Sequence, residues 1–276
     1  MDIKKGQEIL KKHYDKQLNI AESSGREKDI FWVKMKYQHS QDVLKIAEYL
    51  LENDSLLSKL QNTYKLYGKL GALLHDIGRA YEIGETKLNG IKHGYFGAEN
   101  ILKQEEKEDN PFILWSFKYH DILNAEEETR NELKEINLSN QEKEIVVILL
   151  KLVMDSDKLA NFKLFFDCER EYLLNLDNKP VFTEKCLTSL KNKNLIKKSD
   201  RKTNLDQYLS YITWIYDLNF QTSKDLTLRE NYMLNFINKM KEEVVNFSSN
   251  LDEEIIKKTL NQIEEISNQL KKDGFL

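Results

Sequence analysis

Proline and glycine are scarce in this chain. Two prolines and ten glycines stand among 276 residues, where average usage would give about fourteen prolines. A chain so poor in helix breakers, yet rich in Leu, Lys and Glu, favours long helices. Strand signals are equally thin. Few segments alternate apolar and polar residues, and Asn89-Gly90 falls in a polar stretch rather than between two alternating segments. Cysteine is nearly absent. Cys168 and Cys186 form no CxxC pair and no disulfide framework, which points to a reduced, cytoplasmic compartment. There is no long apolar run. Ile145 to Leu150 is the longest and is too short to span a bilayer, and the N-terminus carries no apolar signal core. The expectation is a chain neither secreted nor membrane-embedded. Net charge is also lacking. At -4 there is no global basic field to recruit nucleic acid. An anionic substrate would need local cations, either a metal ion or a few Lys and Arg.

What remains is a globular composition, 32% charged and 40% hydrophobic, long enough for one large domain or two small ones. The first 20 residues read as an amphipathic helix on Ile3, Leu10 and Tyr14, stopped by Ser23-Ser24-Gly25. Helical spacing predicts a second helix from about Asp29 to Glu52, on Val33, Tyr37, Val43, Ala47 and Leu50. A third runs from about Ser55 to Asp76, stopped by Gly78. Residues 79 to 92 read as a polar loop containing Gly84 and Gly90. A short helix follows from His93 to about Lys103. Asn110-Pro111 is a helix start, with Asn as N-cap and Pro in the first turn. Ser139-Asn140-Gln141-Glu142 matches a capping box before the apolar stretch Ile145 to Val153.

The last hundred or so residues read as helical too. Leu205 to Phe220 is aromatic-rich, and Leu251, Ile255, Ile256, Leu260, Ile263, Ile266 and Leu270 trace one helical face. The cluster Tyr208, Tyr211, Trp214, Ile215 and Tyr216 suits either a packed core or a base-binding pocket. The C-terminal stripe suits bundle packing or a homodimer seam. The Lys-rich stretch 191 to 202 reads as a solvated loop.

The chemistry concentrates in an ordered series. His75-Asp76 ends an apolar helix, where an unpartnered imidazole and carboxylate would be costly. His39 lies upstream on the second helix, four residues before Val43 and therefore on its face. His93, His120 and Asp157 lie downstream. Four of the five histidines fall into this series. Only His13 stands outside it, and it reads as a surface residue. Imidazoles and carboxylates together suit Mn, Fe, Ni, Co or Mg better than a closed structural zinc site.

The strings around these residues carry a resemblance. Gln38-His39-Ser40, then Leu73-Leu74-His75-Asp76-Ile77-Gly78-Arg79, then His93-Gly94-Tyr95-Phe96-Gly97-Ala98-Glu99, then Asp155-Ser156-Asp157-Lys158-Leu159 together resemble the HD superfamily of metal-dependent phosphohydrolases. The closing string departs from the common form by one residue, Ser156 in place of Ala. The resemblance covers about residues 30 to 165. It implies an all-α fold, an HD-domain helical bundle with additional C-terminal helices packed on it. With the helical reading of the flanking residues, the expected division is an N-terminal helix over 1–29, a metal-binding core over 30–165, and a helical extension over 166–276 within the same globular unit.

The resemblance further implies His39, His75, Asp76 and Asp157 as metal ligands, with Asp155 the reserve choice. It implies one divalent ion, with a second left open, and assigns catalytic work to Asp76, His93 and His120. His93 and His120 would bind the second ion, contact phosphate, or protonate a leaving oxygen. Lys158 and Arg79 are candidate cations for the substrate phosphate. Glu82 is the nearest candidate for a general base. The implied reaction is attack of metal-activated water on a phosphomonoester or phosphoanhydride, in a nucleotide or another small phosphorylated metabolite. Two alternatives stay open: a cyclic (di)nucleotide phosphodiesterase with a binuclear centre, and a non-catalytic nucleotide-sensing helical protein.

Overall fold

The computed structural model describes residues 1–83, 88, 90–167, 176–177, 179–247 and 252–276. Cys168, Gly84, Asn89 and Leu251 lie outside the described residues. The fold is all-helical. Among the described residues there is no strand, only an isolated bridge between Asp177 and Thr203. No helix among them is long and apolar enough to cross a membrane. The chain divides into two compact units, Met1–Ala160 and Asn161–Leu276.

The first unit opens with α1 (Ile3–Ser23), whose N-cap Asp2 accepts a hydrogen bond from Lys5 N. Next comes α2 (Glu27–Asn53), which has no side-chain cap but carries Glu27 and Asp29 in its first turn, where the helix dipole favours them. The expected third helix is split. Asp54 accepts from the backbone N–H groups of Leu56 and Leu57 at 2.9 and 3.3 Å and turns the chain into a 3-10 turn, Leu57–Lys59. α3 (Asn62–Leu74) then begins afresh. The expected loop after Gly78 opens instead with a short helix, α4 (Arg79–Ile83). α5 (His93–Phe96) runs straight into a π-helical stretch, Gly97–Glu105. α6 (Pro111–Phe117) is capped as anticipated, with Asn110 accepting from Phe112 N at 3.0 Å. α7 (Ala125–Leu133) and the long α8 (Asn140–Asp167) follow. Ser139 and Glu142 form the reciprocal capping box, Ser139 N donating to Glu142 at 2.8 Å and Glu142 N to Ser139 Oγ at 3.3 Å.

α1, α2, α3 and α6 pack around a core that includes Leu10, Leu50, Leu70, Leu73, Ile77 and Phe117, all buried. Each fully buried aliphatic or aromatic side chain contributes about 1.5–3 kcal/mol. His13 is the correction in this unit. It is buried, with Nδ1 2.7 Å from the Tyr81 hydroxyl and Nε2 2.8 Å from Glu106. Its partners lie 68 and 93 residues away in sequence, so nothing local announced them.

The second unit contains α9 (Glu184–Lys191), α10 (Asn204–Thr213), α11 (Gln221–Arg229), α12 (Tyr232–Asn246) and α13 (Glu253–Lys272). Phe165 packs against Tyr208 and Tyr211 with ring centroids 5.1 and 4.9 Å apart, and Tyr211 stacks on Phe236. Within the aromatic cluster Tyr208 and Ile215 are buried, while Tyr211, Trp214 and Tyr216 are half-buried. On α13 the buried seam runs through Thr259, Ile263, Ile266 and Leu270. Ile255 and Leu260, expected on that face, are exposed, because they flank the seam rather than sit on it.

Candidate metal centre

Every member of the histidine–aspartate series belongs to the first unit, and each reaches one point from a different element. α2 supplies His39. The turn that ends α3 supplies His75 and Asp76, held by Ile77 N donating to Leu74 O and Arg79 N donating to Asp76 O. The Tyr14 hydroxyl donates to the Asp76 carbonyl at 2.9 Å and ties that turn to α1. The start of α5 supplies His93, the segment after α6 supplies His120, and α8 supplies Asp157.

Two glycines allow this convergence. A Cβ at Gly78 would lie 2.2 Å from the His93 carbonyl oxygen, and one at Gly94 would lie 2.8 Å from the Lys118 carbonyl oxygen and 2.9 Å from His120 Nδ1. Neither backbone could approach so closely with a side chain present.

The side chains form two groups around Asp76. On one side, His39 Nε2 lies 2.8 Å from Asp157 Oδ1, and His75 Nε2 lies 3.4 Å from the same oxygen. Asp76 Oδ2 stands 3.6 Å from His75 Nε2 and 3.9 Å from His39 Nε2. On the other side, Asp76 Oδ1 faces His93 Nε2 at 3.0 Å and His120 Nε2 at 3.7 Å. His75 is fully buried and Asp76 is 2% exposed, while the Asp157 side chain is 24% exposed and opens the cluster to solvent. Asp155, the reserve choice, is fully buried.

The outward ring nitrogens decide what the inward ones can do. His75 Nδ1 lies 2.8 Å from Ala72 O, and His120 Nδ1 lies 2.7 Å from Phe117 O. A carbonyl only accepts, so both Nδ1 atoms carry hydrogen, and the inward Nε2 of a neutral ring keeps a lone pair, as in metal-ligating histidines. His93 Nδ1 likewise faces Asp121 Oδ2 at 3.0 Å. His93 Nε2 and His120 Nε2 then meet at 3.2 Å. Two lone pairs cannot face each other there, so one positive charge, a proton or a metal ion, belongs among these atoms and Asp76 Oδ1.

The electrostatics agree. Burial pushes the Asp76 carboxyl up, but Lys36, His75, His120 and His93 more than offset it and hold the group well below the usual carboxylate range. Asp157 is held low in the same way by His39 and His75. His39 is lowered to about 4, by burial first and by Lys36 second, against the pull of Asp157. Burial opposes protonation of His120, but Asp76, Asp121 and Asp157 raise it.

The residues fit a divalent ion. His75 Nε2 and Asp76 Oδ2, both facing the cluster, are buried without a hydrogen bond, and a buried polar atom left so costs about 1–3 kcal/mol when nothing else answers it. His39, His75 and Asp157 offer three ligand atoms within 4.8 Å of one another, and so do His75, Asp76 and His120. Separations near 3 Å are those of neighbouring donors around one ion bound at about 2.0–2.2 Å.

The cations anticipated for the substrate are placed differently. Arg79 opens α4, with Nε 3.7 Å from Asp76 Oδ1 and Nη1 bonded to Glu82. Lys158 follows Asp157 on α8 and is half-buried. Glu82, the suggested base, lies 3.5 Å from His93 Nδ1 and points at the outer face of that ring. Two residues were missed. Asp121 orients His93, and its place directly after His120 is its only signal in the sequence. Lys36 places Nζ 3.1 Å from Asp76 Oδ2. It stands one helical turn before His39, a spacing that puts both on one side of α2.

Against known proteins, residues 37–161 match the family described as HD domain. That span contains His39, His75, Asp76, His93, His120 and Asp157. HD domains are in general metal-dependent hydrolases that bind divalent ions, and the His/Asp groups here are able to hold one. No curated protein and no solved structure matches the chain.

Proposed function

Because this chain belongs to the HD-domain superfamily through residues 37–161, we propose that it is a metal-dependent phosphohydrolase acting on a phosphomonoester or phosphoanhydride of a nucleotide or other small phosphorylated metabolite. The observation that carries this reading is the convergence of His75 Nε2 and Asp76 Oδ2, buried and without a hydrogen bond, on His39 and Asp157. His39, His75, Asp76 and Asp157 would hold the ion. A bound divalent ion supplies a nucleophile at neutral pH and neutralises developing phosphoryl charge.

The chain's own residues do the rest. Ala72 and Phe117 carbonyls fix the rings of His75 and His120. Asp121 fixes His93. His93 and His120 converge on the second oxygen of Asp76, where they can contact a phosphoryl oxygen or carry the proton that a leaving oxygen needs. Arg79 adds positive charge beside the cluster.

That same convergence favours a second reading. One carboxylate lies between two histidine sets, as a bridging group between two ions would, and a binuclear centre suits a cyclic (di)nucleotide phosphodiesterase. The test is metal analysis of the purified protein, followed by a hydrolysis screen over nucleotides with the identified ion. About one ion per chain with phosphomonoester or anhydride cleavage supports the first reading. Two ions with cleavage of cyclic substrates supports the second. No retained ion, and no hydrolysis with any added divalent ion, sinks both.

A further inference from the structure

Lys36 is a largely buried cation that the proposed chemistry leaves without a role. Its side chain is 13% exposed, and its Nζ stands 3.1 Å from Asp76 Oδ2. That oxygen has no hydrogen-bond partner, so the contact is charge against charge rather than a directed bond. Asp76 Oδ2 also faces His75 and His39 Nε2, the direction from which a metal ion would claim it. With an ion bound, one oxygen would thus serve two cations. Arg79 is not in this position. Its Nε faces the other oxygen of Asp76, and its Nη1 is engaged by Glu82.

We propose that Lys36 makes the binding of the metal ion and of phosphate cooperative. This rests on the metal reading of the site given above. A like charge about 3 Å from a ligand oxygen weakens loading of the ion, because their repulsion is only partly screened in a buried site. A phosphoryl group bound beside the ion gives the ammonium a new partner. The lysine stem is flexible and its three donors suit phosphate oxygens. Lys36 can therefore leave Asp76 to the metal once an anion is present. By linkage, the factor by which phosphate tightens metal binding equals the factor by which metal tightens phosphate binding. The consequence for a hydrolase is that the fully charged site assembles only around its substrate.

The experiment is Mn2+ titration of the full chain, reading free ion by electron paramagnetic resonance. It is run with and without inorganic phosphate, with free ion corrected for its own phosphate complex. Phosphate is expected to tighten Mn2+ binding by wild-type protein about tenfold, inside the usual range of coupling between sites. Lys36→Met should bind Mn2+ about tenfold more tightly than wild type without phosphate, and should gain less than about twofold from it. Lys36→Arg, which keeps the charge, should keep most of the gain. Lys36→Gln serves as a second neutral variant should the methionine side chain disturb packing.

Neutral variants that bind Mn2+ no more tightly than wild type, or that still gain tenfold from phosphate, overturn the proposal and leave the metal site standing. Wild-type protein that binds no Mn2+ or other divalent ion overturns the metal reading itself.

Discussion

The first unit holds two buried clusters of charge, and they are built to opposite rules. Around Lys118 every group is answered. Its Nζ donates to Glu99 and Glu132 at 2.7 Å each and lies over the rings of Tyr95 and Trp115. Glu132 also accepts from Trp115 Nε1 and from the Tyr119 hydroxyl. Around Asp76 groups are left over. His75 Nε2, Asp76 Oδ2 and Asp121 Oδ1 have no hydrogen-bond partner. The difference separates a strut from a receptor. A buried polar network that satisfies itself contributes to folding, whereas one that does not reserves its donors and acceptors for something it binds.

That contrast can be broken at either cluster. The largest expected effect is at the receptor. His75→Ala or Asp76→Ala should abolish retained metal, read by elemental analysis, and should lower any hydrolysis by more than the ~100-fold that loss of a supporting partner costs. Stripped of metal, the same variants should also lose some stability, because His75 bonds Ala72 O and Asp76 pairs with Lys36 and His93; retained metal, not melting temperature, is the readout that separates the two clusters.

Lys118→Met should do the reverse. It strands Glu99 and Glu132 and should cost about 2–4 kcal/mol in a denaturant titration, toward the lower end because both carboxylates are partly exposed. Metal content per folded molecule should stay near wild type.

Asp121→Asn tests whether a supporting group can be weakened alone. It leaves an amide opposite His93 Nδ1 and should reduce metal affinity or turnover by about 10–100-fold with little change in stability.

The smallest effect is a pH dependence. Burial pushes the Glu99 and Glu132 carboxyls up, but bonding to Lys118 holds both below the ordinary value of 4.5. Groups lowered by folding stabilise the protein above that value and stop doing so as pH falls through their folded values. The stability lead of wild type over Lys118→Met should therefore be steady near neutrality and shrink below pH 4.5. A lead that stayed constant into acid would mean that Lys118 acts through packing alone.

Much of the receptor was legible because its residues sit in short strings with strong local character. His75-Asp76 interrupts an apolar helix end, Asn110-Pro111 starts the helix that leads to His120, and the Ser139 box starts the helix that carries Asp157. Local physics placed these elements. Lys36 was not legible in the same way, because a lone lysine on a charged helix reads as solvated unless its tertiary neighbour is known. His13 failed for the same reason, since Tyr81 and Glu106 are remote in sequence. The split near residue 57 depended on Asp54 capping forward, and the π-helical stretch 97–105 carries no composition that distinguishes it from an α-helix.

The boundary between the two units falls at Ala160, inside α8, which continues to Asp167. Asp157 is three residues before that boundary. A helix end leaves its last four carbonyls unpaired and frays over about the last turn. Chain cleavage at Ala160 would therefore put Asp157 on a fraying end and loosen one donor of the cluster. Asp157 thus depends on the continuity of α8, and a protease nick just after Ala160 should weaken metal binding without touching any ligand.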